Sequence, residues 1–195
     1  MKTRVLVLLG PTASGKTALA VELAKKLKGE IVSADSRQIY RGLDIGTGKD
    51  LGEYGEVPYH LIDNHVVGDP YSVAHFQTEA VDAIQEISQR GKLPILCGGT
   101  GLYIESLIQQ YQFSRKPDFL TEALEFDFEF DVFGLNPALE LRRQRISNRL
   151  RSRLNTGLVE EVEGLLAQGI SEDALLWMGL EYKWVVQYLS GEMSR

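Results

Sequence analysis

The chain has 195 residues, 44% of them hydrophobic, enough for one well-buried domain and marginal for two. Its net charge of −6 and pI near 5.2 argue against broad, non-specific nucleic-acid binding, though not against a local basic groove. The single cysteine, Cys97, cannot close an internal disulfide and no apolar run reaches membrane-spanning length, so a reducing, cytoplasmic setting is expected.

The opening MKTRVLVLLG places basic residues before an apolar run, but that run stops at Gly-Pro-Thr and is too short for a signal peptide. Val5 to Leu9 reads instead as a strand buried on both faces of a parallel sheet. The pattern G-x-x-x-x-G-K-[ST] follows at Gly10-Pro11-Thr12-Ala13-Ser14-Gly15-Lys16-Thr17. Next comes a helix over Thr17 to Leu27, with Leu19, Leu23 and Leu27 on one face, closed by Lys28-Gly29. Glu30 to Ala34 is a second short strand.

From Asp35 to Asp69 the chain is glycine-rich and polar with no sustained period, longer than an ordinary connection, and such loops commonly carry function. Order returns with Ser72 as N-cap and a stripe of Val73, Phe76, Ala80, Ala83, Ile84 and Ile87, stopped by Gly91. Leu93 to Cys97 is a third buried strand. It feeds the turn Gly98-Gly99-Thr100-Gly101 and a helix over Leu102 to Ile108. The pattern is weak from Gln109 to Glu125, and Phe126 to Phe133 then alternates aromatic and acidic residues like an edge or half-exposed strand.

Asn136-Pro137 reads as the cap and first turn of a long helix to Leu154. Gly157 ends it, and a further helix runs from Leu158 to Ala167 before Gly169. Ala174 to Leu189 is expected to be helical and to dock by its Leu, Trp and Val residues, with Trp177, Trp184 and Tyr188 in the core. The whole reads as one α/β domain over 1–195, a P-loop NTPase-like parallel sheet flanked by helices. Residues 136–195 form its helical C-terminal part.

The glycines at 10 and 15 let the backbone curl around phosphate oxygens and point several N–H groups inward, where a Cβ would obstruct. Lys16 supplies a point charge, Thr17 a hydroxyl ligand for Mg²⁺, and the following helix its positive end. A strand before and a helix after are the context this motif requires. The loop grips phosphate without naming a reaction, so kinases, NTPases and pyrophosphate-releasing transferases all stay open at this point. Asp35 stands at the carboxyl end of the second strand, where open α/β sheets place their ligands. There it is a metal-side acid, a general base, or a plain turn aspartate.

The blocks GPTASGKT, SADSRQIYRGLDIGTGK, VPYHLID at 57–63, PYSVAHFQ at 70–77 and KLPILCGGTGLYI at 92–104 together resemble the tRNA dimethylallyltransferase family. They run in the family's order, and the SADS-x-Q-x-Y-R-G block is the most diagnostic. The resemblance implies a soluble prenyltransferase whose phosphate-binding loop holds the pyrophosphate of dimethylallyl diphosphate, with Mg²⁺, while the N6 amine of an adenine in tRNA attacks the allylic carbon. It implies Asp35 as the base for that amine, Ser36, Arg37 and Gln38 on the acceptor side, and Thr100 beside the reacting adenine and the leaving group.

Residues 136–155 hold six arginines and one acid. Arg142, Arg145, Arg149 and Arg153 share one side of the helix, and Leu139, Ile146, Leu150 and Leu154 a neighbouring side expected to pack. A solvated cationic face is the plain reading of such a helix. The resemblance adds Arg149, then Arg145, as diphosphate contacts. His60, His65 and His75 lack metal-ligand spacing and read as structural or surface residues, Cys97 as a packing residue, and Lys49 and Arg41 as able to touch substrate.

Two departures from the family bear on the acceptor. Members that modify tRNA usually carry a helical insertion after the GGTGLY helix and a basic tail ending in an Arg-Gln-x-Thr-Trp-Phe-like run. Here residues 109–125 are unpatterned and the chain stops at Arg195. Shorter relatives prenylate free AMP, ADP or ATP, and the length is nearer theirs. The SADSRQIYRG and VPYHLID blocks are nearer the tRNA branch, which ranks first. A P-loop small-metabolite kinase is the alternative from another class.

Overall fold

Five strands build one parallel sheet: β1 (Thr3–Leu9), β2 (Gly29–Ala34), β3 (Tyr59–His60), β4 (Leu93–Gly98) and β5 (Phe128–Gly134), in the spatial order β3-β2-β4-β1-β5. The computed structural model describes residues 2–113 and 126–193. Most of the unpatterned stretch expected at 109–125, and Arg195, lie outside the described residues. In register, Leu6 of β1 and Ile31 of β2 both face Ile95 of β4. Val5, Val7, Leu8, Ile31, Val32, Ala34, Ile95 and Leu96 are all buried, as strands covered on both faces require.

Strand β5 pairs with β1 alone and is the expected edge, with Val132 and Phe133 exposed and Phe128 buried. β3 is too short to leave a periodic signature in the sequence. It extends the opposite edge, where the Ile31 N–H donates to Pro58 O at 2.9 Å.

The chain packs as two compact units. The first, Met1–Ser36, Leu51–Leu61 and Pro70–Ala138, holds the sheet with α1 (Lys16–Leu27), α2 (Val73–Gln89) and α3 (Gly101–Ile108). The buried face of α1 is Ala20, Val21 and Ala24, while Leu19 and Leu27, on the leucine face, are exposed. Small side chains let this helix sit close over β2 and β4, which leucines would prevent. Lys28, not Gly29, takes the left-handed cap position. Gly29 lies in β2, where an added Cβ would meet Leu93 O at 2.7 Å. Ser72 caps α2 in a reciprocal pair with His75.

The second unit, Arg37–Asp50, Ile62–Asp69 and Leu139–Arg195, carries α4 (Leu139–Asn155), α5 (Leu158–Ala167), α6 (Glu172–Met178) and α7 (Leu180–Leu189). Its buried side chains include Ile39, Tyr40, Leu43, Leu158, Val162, Leu175, Met178 and Tyr182. The helix expected over 174–189 is broken at Gly179, whose φ of 66° and ψ of −147° suit glycine alone. Trp177 and Trp184 are 66% and 56% exposed and Tyr188 is half-buried, so the core assignment of these three is corrected. α4 begins at Leu139, after Asn136-Pro137 rather than at it, and its one buried side chain is Arg153. The expected packing stripe is exposed at Leu139, Ile146 and Leu150.

Candidate active site

The loop after β1 turns into α1 through Gly15, which sits in the left-handed region at φ 90° with no side chain capping the helix. A helix start without a side-chain cap is the kind of end that can offer backbone N–H groups to an anion. Ala13 also has a positive φ of 61°, a strained value for alanine that belongs to the curl. Gly10 is fixed by its neighbours: a Cβ there would lie 2.4 Å from Leu135 O, in the chain leaving β5. Ser14 is buried. Lys16 Nζ folds over the loop, donating to Pro11 O at 2.9 Å and to Ser14 Oγ at 3.5 Å.

Because β4 lies between β2 and β1, the turn after β4 stands between the strand end bearing Asp35 and the glycine-rich loop after β1. Contacts at both sides confirm this. Toward β2, a Cβ on Gly98 would lie 2.1 Å from Ala34 O, the Thr100 N–H donates to Ala34 O at 3.1 Å, and the Ser36 N–H donates to Thr100 Oγ1 at 3.0 Å. Toward the loop, a Cβ on Gly99 would lie 3.5 Å from Gly10 O and 3.8 Å from Lys16 Nζ. The sheet thus brings Gly10 to Thr17, Asp35, Ser36 and Thr100 to one set of strand ends.

Cys97 lies beneath this group. Burial pushes its thiol up to about 12, with the Lys16 charge opposing and the Asp35 charge adding, which places both charged groups near one buried sulfur. Such a thiol stays protonated and unreactive, as a packing residue should. Tyr54, unanticipated from the sequence, is also buried here. Its phenol is raised by burial first and then by Cys97 and Asp35.

Arg37, Gln38, Arg145 and Arg149 belong to the second unit. Arg37 stacks over Trp177 at 5.1 Å, and Gln38 Nε2 donates to Gly48 O at 3.1 Å. Arg149 is half-buried on α4 and Arg145 exposed. Lys49 is 1% exposed and donates to Tyr40 O and Asp44, both at 2.7 Å, and to Asp63. It is a buried structural cation, which corrects its reading as a substrate contact. Arg41 donates to Asp63 O at 2.6 Å.

Sequence reasoning missed Glu161, Arg153 and Tyr182 as partners of the 37–50 loop. Glu161 accepts the N–H groups of Asp44, Ile45 and Gly46 and the Tyr182 hydroxyl. Arg153 Nη1 donates to Gly46 O at 2.9 Å and to Glu181 at 3.1 Å. The Gly46-Thr47-Gly48 run was the available signal: a Cβ on Gly46 would lie 2.4 Å from the Tyr182 ring, and one on Gly48 1.7 Å from Arg153 Nη2. Glycines there permit close approach of other side chains to the backbone. His60 proves structural as expected, holding Glu30 at 2.8 Å beside Arg90.

Comparison with known proteins points the same way. The family model described as IPP transferase matches residues 38–129 and 112–195. The chain is 39% identical to tRNA dimethylallyltransferase 1 of Geotalea uraniireducens, over all of this chain and 81% of that protein. It is 40% identical to tRNA dimethylallyltransferase 2 of Treponema denticola, over 99% and 84%. The first alignment spans 245 positions against 195 residues here, so at least fifty residues of that relative have no counterpart in this chain. The two matched segments of the family model meet at 112–129, the stretch where the sequence reading finds the insertion shortened.

Among solved structures, the full-length tRNA isopentenylpyrophosphate transferase of Bacillus halodurans superposes with a TM-score of 0.87 at 30% identity, over 99% of this chain and 79% of that one. The Staphylococcus epidermidis tRNA isopentenylpyrophosphate transferase gives 0.83 at 30% identity, over 99% and 82%. A eukaryotic dimethylallyltransferase acting on tRNA, 21% identical with a TM-score of 0.75, shares the fold. A parallel sheet, a P-loop sequence motif and an aspartate two strands away therefore come with matches along the whole sequence, and the chain belongs to the IPP transferase family.

Proposed function

We propose that this chain transfers the dimethylallyl group of dimethylallyl diphosphate to the N6 amine of an adenosine in the anticodon loop of tRNA, releasing pyrophosphate, in the cytoplasm. The observation that carries this is the strand order, which seats the Thr100 turn between Asp35 and the phosphate-binding loop. Donor grip and acceptor base then flank one reacting position. The reported relatives are named as acting on tRNA, which favours that acceptor over free AMP, ADP or ATP and over a kinase.

In this reading Gly10, Pro11, Thr12, Ala13, Ser14, Gly15, Lys16 and Thr17 hold the diphosphate. The C1–O bond breaks as its electrons go to the pyrophosphate oxygen, and the amine nitrogen forms the new bond to C1. Adenine N6 is a poor nucleophile because its lone pair is delocalised into the ring. Asp35 takes the N6 proton as the bond forms, and Thr100 stands at the junction of acceptor and leaving group. Lys16 and the first turn of α1 meet the charge that develops on the leaving group. Ser36, Arg37 and Gln38 are the proposed contacts for the acceptor.

Among the described residues no group of three or more His, Cys, Asp or Glu side chains could hold a metal. The Thr17 hydroxyl would be the protein's ligand to a Mg²⁺ ion. Bound there, it would neutralise diphosphate charge.

The test is incubation with labelled dimethylallyl diphosphate and Mg²⁺ in parallel with unmodified tRNA, an anticodon stem-loop and AMP. Label is expected in tRNA. Label in AMP alone would move the acceptor to free nucleotides, and label in none would overturn prenyl transfer.

A further inference from the structure

We infer that Glu161, with Tyr182 and Arg153, forms a clamp that fixes the acceptor-side loop of the second unit and makes Glu161 a positioning residue for prenyl transfer. The inference rests on the proposed reaction for its kinetic consequence, but the clamp itself is geometric. One carboxylate oxygen of Glu161 accepts the N–H groups of Asp44 at 2.9 Å and Ile45 at 2.6 Å. The other accepts the Gly46 N–H at 3.1 Å and the Tyr182 hydroxyl at 2.7 Å. Three successive backbone donors around one anion form a nest, and both oxygens of the carboxylate are used.

The same turn is held from its carbonyl side. Arg153 donates to Gly46 O, is itself paired with Glu181, and passes so close to Gly48 that only glycine fits there. Arg153 is 6% exposed and Tyr182 fully buried. The turn closes on itself through Gly48 N–H to Ile45 O at 3.1 Å and Lys49 N–H to Asp44 O at 3.2 Å. From this turn the Gly48 carbonyl receives the Gln38 amide at 3.1 Å. Gln38, ten residues before Gly48 and three after Asp35, is thereby tied through this carbonyl to side chains of α4, α5 and α7.

A carboxylate that accepts from three backbone amides and a hydroxyl holds them only while its two oxygens are both acceptors. Glu161→Gln keeps size but replaces one oxygen by an NH₂ that faces N–H donors. The turn then loses its anchor, and Gln38 its fixed acceptor. A misplaced acceptor group should cost on the order of tenfold to a hundredfold in kcat/KM for tRNA, with donor affinity held within about twofold.

The experiment measures Glu161→Gln and Tyr182→Phe in three ways: kcat and KM for tRNA, calorimetric binding of dimethylallyl diphosphate, and amide exchange at 44–46. The expected result is a selective loss on tRNA, larger in Glu161→Gln than in Tyr182→Phe, with faster exchange at Ile45 and Gly46. Equal loss of donor binding, or unchanged tRNA kinetics with unchanged exchange, overturns it. Should Glu161→Gln not fold, Tyr182→Phe decides, since it removes one hydroxyl only. If the wild-type chain transfers no label, the prenyl reading fails on its own, and amide exchange still decides the clamp.

Discussion

The Thr100 hydroxyl accepts the Ser36 N–H at 3.0 Å and donates to the Ser36 hydroxyl at 3.3 Å, joining the ends of β4 and β2 just after Asp35 leaves the sheet. Thr100→Val keeps the shape and leaves that N–H without its acceptor. The variant should lose about 1 kcal/mol of stability by denaturant titration. It should also lower kcat for transfer without changing donor affinity, and Thr100→Ser should restore much of both.

Lys16 lies over the loop it serves, 2.9 Å from Pro11 O. In the proposed reaction its charge meets the diphosphate, so Lys16→Met should weaken donor binding by about 1.5–3 kcal/mol, roughly tenfold to a hundredfold in Kd. Isothermal calorimetry with dimethylallyl diphosphate reads this directly. Unchanged affinity would remove the lysine from the donor site.

Glu30 carries a pH dependence of folding. Burial raises its carboxyl, but hydrogen bonds and charge from Arg90 and His60 outweigh that and hold it below its ordinary value. A depressed pKa stabilises the fold fully above the unfolded value, and the contribution is lost as pH falls through the folded one. At pH 7, Glu30→Gln should therefore be less stable than wild type by about 1–2 kcal/mol, discounted because Arg90 is half in solvent. The gap should close as pH drops below about 4.3. Urea titrations across pH test the sign.

Cys97 should resist an aromatic disulfide reagent at pH 8 in the folded protein and react at once on unfolding. Its thiol is pushed up to about 12, chiefly by burial. Rapid labelling of the folded chain would mean the strand ends open more than this packing allows.

Most of what was legible in the sequence rests on local signals. The run Val5 to Leu9, the glycine spacing through Lys16, the Ser72 cap and the Gly91 stop each act within a few residues, and all appear where expected. The edge position of the strand near 128–134 followed from its alternation. Strand order was not legible, since nothing local says that β4 inserts between β2 and β1. The buried face of α1 escaped because alanines give a weaker hydrophobic signal than leucines. Arg153 and Glu161 escaped for the opposite reason: charged side chains on helices read as solvent-facing, and only their long-range partners reveal them as structural.

The central claim is that Asp35 is the base for the acceptor and not a ligand for the donor. The direct measurement compares wild type and Asp35→Ala for transfer of label from dimethylallyl diphosphate to unmodified tRNA, alongside donor affinity by calorimetry. With Asp35 as the base, transfer should fall on the order of a hundredfold to ten-thousandfold while donor affinity is largely kept. Equal loss of both, or transfer at the wild-type rate, would contradict it.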